Sequence, residues 1–250
     1  MSNSNVVQIE SKNALLELLR DDRDFERIYL AANAFKDEKT SEIVKLAGKR
    51  GIPIVKVPRR TLDRKTRTAN TESIVGIMIS QNSWGLGELI DKIYKDKKIP
   101  FFLILDGIKY TQNIAALMRT AFAVGVNGII VSPSKNSLVT DETIRISMGA
   151  AERIPLVEMN LFEALKKLKE EDIKVCAISM EGQPYFHSNL RGPLGFILGA
   201  EDTGISTGML ERADMKISIP MNEGIGSLNV SVSGAILMYE KLRQEVTVKE

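Results

Sequence analysis

Residues 101–106, FFLILD, form an unbroken apolar run of strand length that ends in an acid. A strand with one face in water alternates apolar and polar residues, so a continuous run suits a strand covered on both faces, as in a parallel sheet. Such a sheet needs crossover connections, and the chain supplies them. NIAALMRTAFAVG reads as an amphipathic helix closed by Gly125, NGIIVSP as a strand and LFEALKKLKEE as a helix; IKVCAIS, GFILGAE and KISIP read as strands. The alternation predicts an α/β domain, a parallel sheet with helices on both faces. Sheets of this kind hold ligands at the carboxyl ends of their strands, so the residues just beyond each strand are the candidates for chemistry.

The preceding part also alternates. SKNALLELLR and TSEIVKLAGKR, the second closed by Gly51, read as helices, and ERIYLA, IPIVKV and SIVGIMI as strands. We expect a small α/β domain over residues 1–80, a linker and first helix over 81–98 beginning in the polar stretch SQNSWGLG, and a second domain over 99–250. A chain of 250 residues suffices for two modest cores. No stretch reaches the ~20 apolar residues of a membrane span, and MSNSNVVQIESK lacks a signal-peptide core, so a cytoplasmic protein is expected. The single cysteine, Cys176, lies in the apolar run KVCAIS and reads as a small buried hydrophobe, and no metal site is expected.

The formal net charge is only +2, so any nucleic-acid contact must come from a local patch. PRRTLDRKTR is the densest one. It sets Arg59, Arg60, Arg64, Lys65 and Arg67 against one acid, Asp63, in what reads as a loop, either a solvated one or a set of phosphate contacts. His187, in GQPYFHSNL, has no evident nucleophile partner and reads as surface or structural. Trp84 suits interdomain packing better than base stacking.

Three segments follow strands and are unusual. In GIKYTQNIAALMR, Asn113 is placed to cap a helix that carries Arg119 six residues later. In FILGAEDTGIS, Gly199 and Gly204 flank Ala200, Glu201 and Asp202, and small residues there let a ligand approach the backbone. The segment fits neither dinucleotide nor triphosphate fingerprints. In ISIPMNEGIGSLNVSVSGAILMYEKL, a strand and a Gly-rich loop lead into a final helix whose entry carries Ser227 and Asn229, where free helix N–H groups gather. Leu228, Val232, Ala235, Ile236, Tyr239 and Leu242 fall at helical spacing and predict the buried face of that helix.

In this order and spacing the three segments resemble the motifs of the SpoU (TrmH) family of SPOUT RNA methyltransferases. Asn113 and Arg119 match the first motif, Gly199, Glu201 and Gly204 the second, and Ile219, Pro220, Met221, Ser227, Leu228, Asn229 and Ser231 the third. SMGAAERIPL, residues 147–156, is also similar, and the first domain resembles the ribosomal-protein-like RNA-binding domain of members acting on large-subunit rRNA. Where the family has an Asp-Pro pair before the Asn and a Gly two residues after it, this chain has Tyr110, Thr111 and Ala115.

The resemblance implies a SPOUT domain with a C-terminal trefoil knot, an exception to the rule that chains do not knot. It implies a homodimer with its site at the subunit interface, and transfer of a methyl group from S-adenosylmethionine to a ribose 2′-hydroxyl of structured RNA, with 23S rRNA favoured over tRNA. Gly199, Ile219 and Leu228 would hold adenosine through backbone groups, with Leu198, Ala200, Met221 and Ser227 around them. Arg119 is the family's activating residue. A guanidinium is a poor proton acceptor, so we expect it to hold the RNA phosphate and the incipient alkoxide. Glu201 would orient Arg119, and Asn113, Ser227 and Asn229 would fix the ribose. Two alternatives remain open at this point: a tRNA 2′-O-methyltransferase, and a non-catalytic RNA-binding ribosome-assembly protein on the same scaffold.

Overall fold

The computed structural model describes residues 6–32, 34, 37–66, 72–79, 83–134, 138–222, 224 and 226–246. The chain divides into two compact units, residues 1–81 with 138–152, and residues 82–137 with 153–250.

The first unit runs β1 (Val6–Ile9), α1 (Lys12–Arg20), β2 (Phe25–Ala31), α2 (Glu38–Lys49), β3 (Ile54–Val57), α3 (Arg59–Lys65) and β4 (Ile74–Ile79). Its sheet has the order β1-β4-β2-β3, with β2 and β3 parallel and β4 antiparallel to both of its neighbours. Leu15, Leu18 and Leu19 of α1 and Ile43 of α2 are buried, as are Ile28, Ile74 and Met78 of the sheet. Gly51 at φ +66° lets the chain turn after α2, in the left-handed region that a β-carbon disfavours. The basic segment expected to be a loop is a helix, α3. Leu62 is its one buried side chain, too little for an apolar period to show in the sequence.

The second unit begins with α4 (Leu86–Lys95), β5 (Phe101–Asp106), α5 (Thr111–Val124) and β6 (Gly128–Val131). A short helix, α6 (Asp141–Ile146), belongs to the first unit, where its Asp141 carboxylate accepts the Glu10 N–H. Then follow β7 (Leu156–Glu158), α7 (Leu161–Glu170), β8 (Lys174–Pro184), β9 (Leu194–Gly199), α8 (Thr207–Arg212), β10 (Met215–Ser218) and α9 (Val230–Val246). All six strands are parallel, in the order β10-β8-β9-β5-β6-β7. Phe101 to Leu105 of β5 are all buried, as the continuous apolar run requires. Residues of α4, α7 and α8 share one core cluster with the sheet, and Trp84 packs against that cluster, a place inside this unit where interdomain packing was expected.

On the other side α9 packs on α5 and β9. A β-carbon on Gly234 would lie 2.5 Å from the Leu117 side chain, so glycine permits this approach. The buried residues of α9 are Val230, Gly234, Leu237, Met238, Lys241 and Gln244. The stripe expected to be buried is offset from this face, since Val232 and Tyr239 are 47% and 53% exposed. Apolar spacing misleads here because two polar side chains are buried with partners. Lys241 Nζ donates to the Leu190 and Gly192 carbonyls and to Glu245, and Gln244 pairs with Leu190 N–H and the Ser188 carbonyl.

Candidate functional site

Pairing between β8 and β10 breaks after two residues. Met215 and Lys216 face Cys176 and Ala177, whereas Ile217 and Ser218 face Gln183 and Pro184. Residues 178–182 therefore leave the ladder, and the strand rejoins β10 at Gln183, just after Gly182, where a β-carbon would lie 2.4 Å from the Ile217 backbone. Beside this excursion, β9 ends in Gly199, whose absent β-carbon would meet the backbone of Gly204 and Ile205 at 2.2 Å. Ala200 and Gly204 close that turn in a bridge, with Gly204 at φ +67°. Asp106 at the end of β5 accepts the Ser206 N–H at 2.8 Å and fixes the turn from below.

These strand ends and the entry to α9 enclose a cavity of about 220 Å³. Leu198, Gly199, Ala200, Ile219, Met221, Ser227 and Leu228, the residues expected around a cofactor, all line it. Sequence reasoning missed Ile178, Ser179 and Met180 from the β8 excursion, and Ile205, Val230 and Ser233. The rule that ligands sit at carboxyl strand ends, applied to IKVCAIS, points to the first three. The walls are mostly apolar, with serine hydroxyls, the backbone of small residues and, among the described residues, a single carboxylate, Glu201. That donor set fits a flat apolar base joined to a cationic group.

A chain of hydrogen bonds joins the three segments beside the cavity. Asn113 Nδ2 donates to Glu201, and Asn113 Oδ1 accepts from Asn229 Nδ2 at 3.0 Å. Asn229 Oδ1 in turn accepts from the Ser231 N–H at 2.9 Å and the Ser231 hydroxyl at 2.6 Å. Asn229 thus caps α9 and holds Asn113 at once. Asn113 is not the cap expected of it. Tyr110 occupies the N-cap of α5, the Asn113 N–H bonds to the Tyr110 carbonyl, and its side chain is left free for Glu201 and Asn229.

Arg119 lies apart from this chain. It is exposed, and it makes no hydrogen bond or ion pair with a described residue. Six residues along an α-helix place it about 120° around α5 from Asn113. Glu201, expected to orient Arg119, bonds Asn113 instead. Of the basic candidates, Arg59 is tied to Asp63 at 3.0 Å and to the Ser73 hydroxyl, and Lys65 lies 4.6 Å over the Tyr29 ring. Arg60 and Arg64 are exposed without such ties, and Arg67 lies outside the described residues. Cys176 is buried and its thiol is pushed up to about 12 by desolvation, with Asp214 adding to the shift, so it is inert. His187 is exposed in a short 3₁₀ turn.

Residues 100–239 match the SpoU rRNA Methylase family, and residues 9–83 match the domain described as RNA 2′-O ribose methyltransferase substrate binding. A 23S rRNA (guanosine-2′-O-)-methyltransferase, RlmB, of Vibrio parahaemolyticus is 31% identical over 100% of both chains. That of Shewanella oneidensis is 33% identical over 84% of this chain and 85% of its own. The SpoU methyltransferase AviRb from Streptomyces viridochromogenes, solved in complex with AdoMet, has the same fold at a TM-score of 0.79 and 17% identity, covering 97% of this chain and 91% of that one. No described helix is long and apolar enough to cross a membrane. With both domain matches, full-length relatives above 30% identity, and the second and third motif segments lining one cavity, the chain belongs to the SpoU rRNA methylase family.

Proposed function

We propose that the protein methylates a guanosine ribose 2′-hydroxyl in 23S rRNA, using S-adenosylmethionine in the cavity between β8, β9 and α9. The observation that carries this reading is one mostly apolar cavity lined by the second and third segments, to which the first is tied by the hydrogen bonds of Asn113 to Glu201 and Asn229. Bound there, S-adenosylmethionine would supply an electrophilic methyl group on a sulfonium. Leu198, Ile219, Met221 and Leu228 would cover the base, and the backbone at Gly199 and Ala200 would meet its polar edge. Glu201 provides the only negative charge among the described residues that line the cavity. Asn113, held from both sides, and Ser227 would fix the ribose so that its 2′-oxygen lies in line, and alignment contributes roughly 7 to 11 kcal/mol to reactions of this kind.

Arg119 would steady the alkoxide and a neighbouring phosphate while the proton passes to phosphate or water, since a guanidinium does not accept it. Its place away from the cavity supports a homodimer in which each Arg119 serves the partner's cavity. Phe122, one turn from Arg119 on α5, is exposed, and so are Val232 and Tyr239 on the neighbouring α9. A second copy of the chain covering this face would bury those apolar side chains. The first unit would bind RNA through α3. A C-terminal knot and a cytoplasmic setting, where ribosomes are assembled, accompany the reading.

Labelled S-adenosylmethionine incubated with deproteinised 23S rRNA and with tRNA tests it. The expected product is one 2′-O-methyl mark on 23S rRNA. A mark on tRNA alone would replace the substrate, and tight RNA binding with neither transfer nor cofactor binding would replace the enzyme with an assembly factor.

A further inference from the structure

β8 does not end at the cavity. After its excursion the strand pairs Pro184 with Ser218, the residue just before cavity-lining Ile219, and then enters the 3₁₀ turn Tyr185–His187. Paired strands lie ~4.8 Å apart, so this turn starts within two residues of the cavity rim. Its three rings are consecutive and mutually braced. Phe186 meets His187 edge-on at 4.6 Å and Tyr185 at 5.3 Å. A side-chain bond from Gln183 to the His187 carbonyl at 3.2 Å pins the turn. Phe186 is nevertheless 52% exposed.

The surroundings decide what such a ring suits. Gln183 and His187 are exposed in the same turn, Asn189 and Arg191 are exposed a few residues on, and Arg243 of α9, paired with Glu240 at 2.8 Å, is near enough for its charge to interact with Tyr185. A subunit contact places large apolar residues together, as Val232 and Tyr239 are on α9. A braced, exposed aromatic ring amid polar groups fits a nucleobase, because the base is flat and apolar on its faces and polar at its edges.

We propose that Phe186, braced by Tyr185 and His187 at the rim of the cavity, is a stacking platform for an unpaired base of the RNA substrate next to the nucleotide presented to the cavity. The proposal rests on the RNA-methyltransferase reading. It adds a contact on the second unit, separate from the cationic helix of the first. Stacking is neutral, so the platform contributes affinity that salt does not screen, unlike the phosphate contacts of α3.

Phe186→Ala, Phe186→Leu and Phe186→Trp test it in the full chain. A 23S rRNA transcript serves for direct binding and for steady-state transfer, with S-adenosylmethionine affinity by calorimetry and oligomeric state by light scattering. Alanine and leucine should weaken transcript binding and raise KM by about tenfold, with kcat and the salt slope unchanged. Tryptophan should keep wild-type values, and cofactor affinity and oligomeric state should not move. Wild-type binding in the alanine variant would overturn the platform. So would full retention by leucine, since burial without stacking would then suffice, or a weakening that accompanies subunit dissociation, which would make the turn a contact between copies. If the wild type binds the transcript but transfers no methyl group, the methyltransferase reading fails while the binding series still decides the platform.

Discussion

The two units arrange their functional groups in opposite ways. In the second, the candidate groups other than Arg119 gather at a concavity at strand ends, where Gly199 and Gly182 bring backbone against backbone and Asn113 is held on both sides. In the first, cations stand on the outside of a seven-residue helix with a single buried leucine. A concave site imposes one geometry, so removing a group from it is close to all-or-none. Convex charges act additively, each supplying a small electrostatic increment. Two buried ionisable residues differ in their pairing. In the second unit Lys241 has three acceptors, whereas in the first neither carboxylate oxygen of Glu152 has a hydrogen-bond partner among the described residues.

The largest expected effect is at Arg119. Removal of one group that stabilises developing oxyanion charge typically costs about 10²–10³ in kcat. Arg119→Ala should fall by that much in single-turnover methyl transfer while S-adenosylmethionine affinity stays at the wild-type value, since Arg119 is no part of the cavity proposed to hold the cofactor. Arg119→Lys should fail equally, since an ammonium lacks the planar fork. Near-normal transfer by the lysine variant would reduce the role to a point charge. If both variants bind cofactor poorly, Arg119 helps to build the cavity. Mixing Arg119→Ala protomers with protomers disabled at the cavity by Gly199→Val should restore a fraction of activity only if Arg119 serves across the subunits.

Much of this site was legible because its signals are local. Small residues after a buried strand, and a polar entry to an apolar helix, mark Gly199, Ala200, Ser227 and Leu228 without knowledge of the sheet order. What escaped depends on partners distant in sequence. KVCAISMEGQP reads as strand throughout, and only β10 shows that residues 178–182 leave the ladder. The inward face of α9 was misread because Lys241 and Gln244 are buried against the carbonyls of residues 188–192, which no apolar period encodes. Asn113 looked like a cap because the competing acceptor, Glu201, comes from a loop far along the chain.

Glu152 gives the next effect. The residue is 1% exposed, and burial raises its carboxyl to about 7 from 4.5, with Arg23 only partly opposing the shift. The folded chain therefore binds the proton more tightly than the unfolded chain. Stability from this group is full below about 4.5 and falls as pH rises through 7, by on the order of 3 kcal/mol. Glutamine carries no such titration. Urea unfolding of Glu152→Gln and wild type should show similar stability at pH 5 and a more stable variant at pH 8. A stability difference that does not change with pH would show that Glu152 finds a partner in solution and that the first unit is no less well paired than the second.

The smallest effect should come from α3, and it sharpens the contrast between convex and concave sites. Arg60 and Arg64 are one turn apart on the same face, about 6 Å along the axis, and are exposed without the ties that hold Arg59 to Asp63 and Lys65 over Tyr29. Removing a single cation–phosphate interaction should lower the slope of log K against log salt by about 0.7 to 0.9. The double variant Arg60→Gln, Arg64→Gln should thus drop by roughly 1.5 in slope and only a few-fold in affinity near physiological salt, with kcat at saturating RNA unchanged. Arg59→Gln should leave the slope almost intact, because its charge is already compensated by Asp63. If Arg59→Gln lowers the slope as much as either free arginine, the ion pair opens on RNA and the whole helix acts as one diffuse charge. If the double variant lowers kcat instead, α3 helps to position the nucleotide, and the division between a unit that attracts RNA and a unit that reacts with it does not hold.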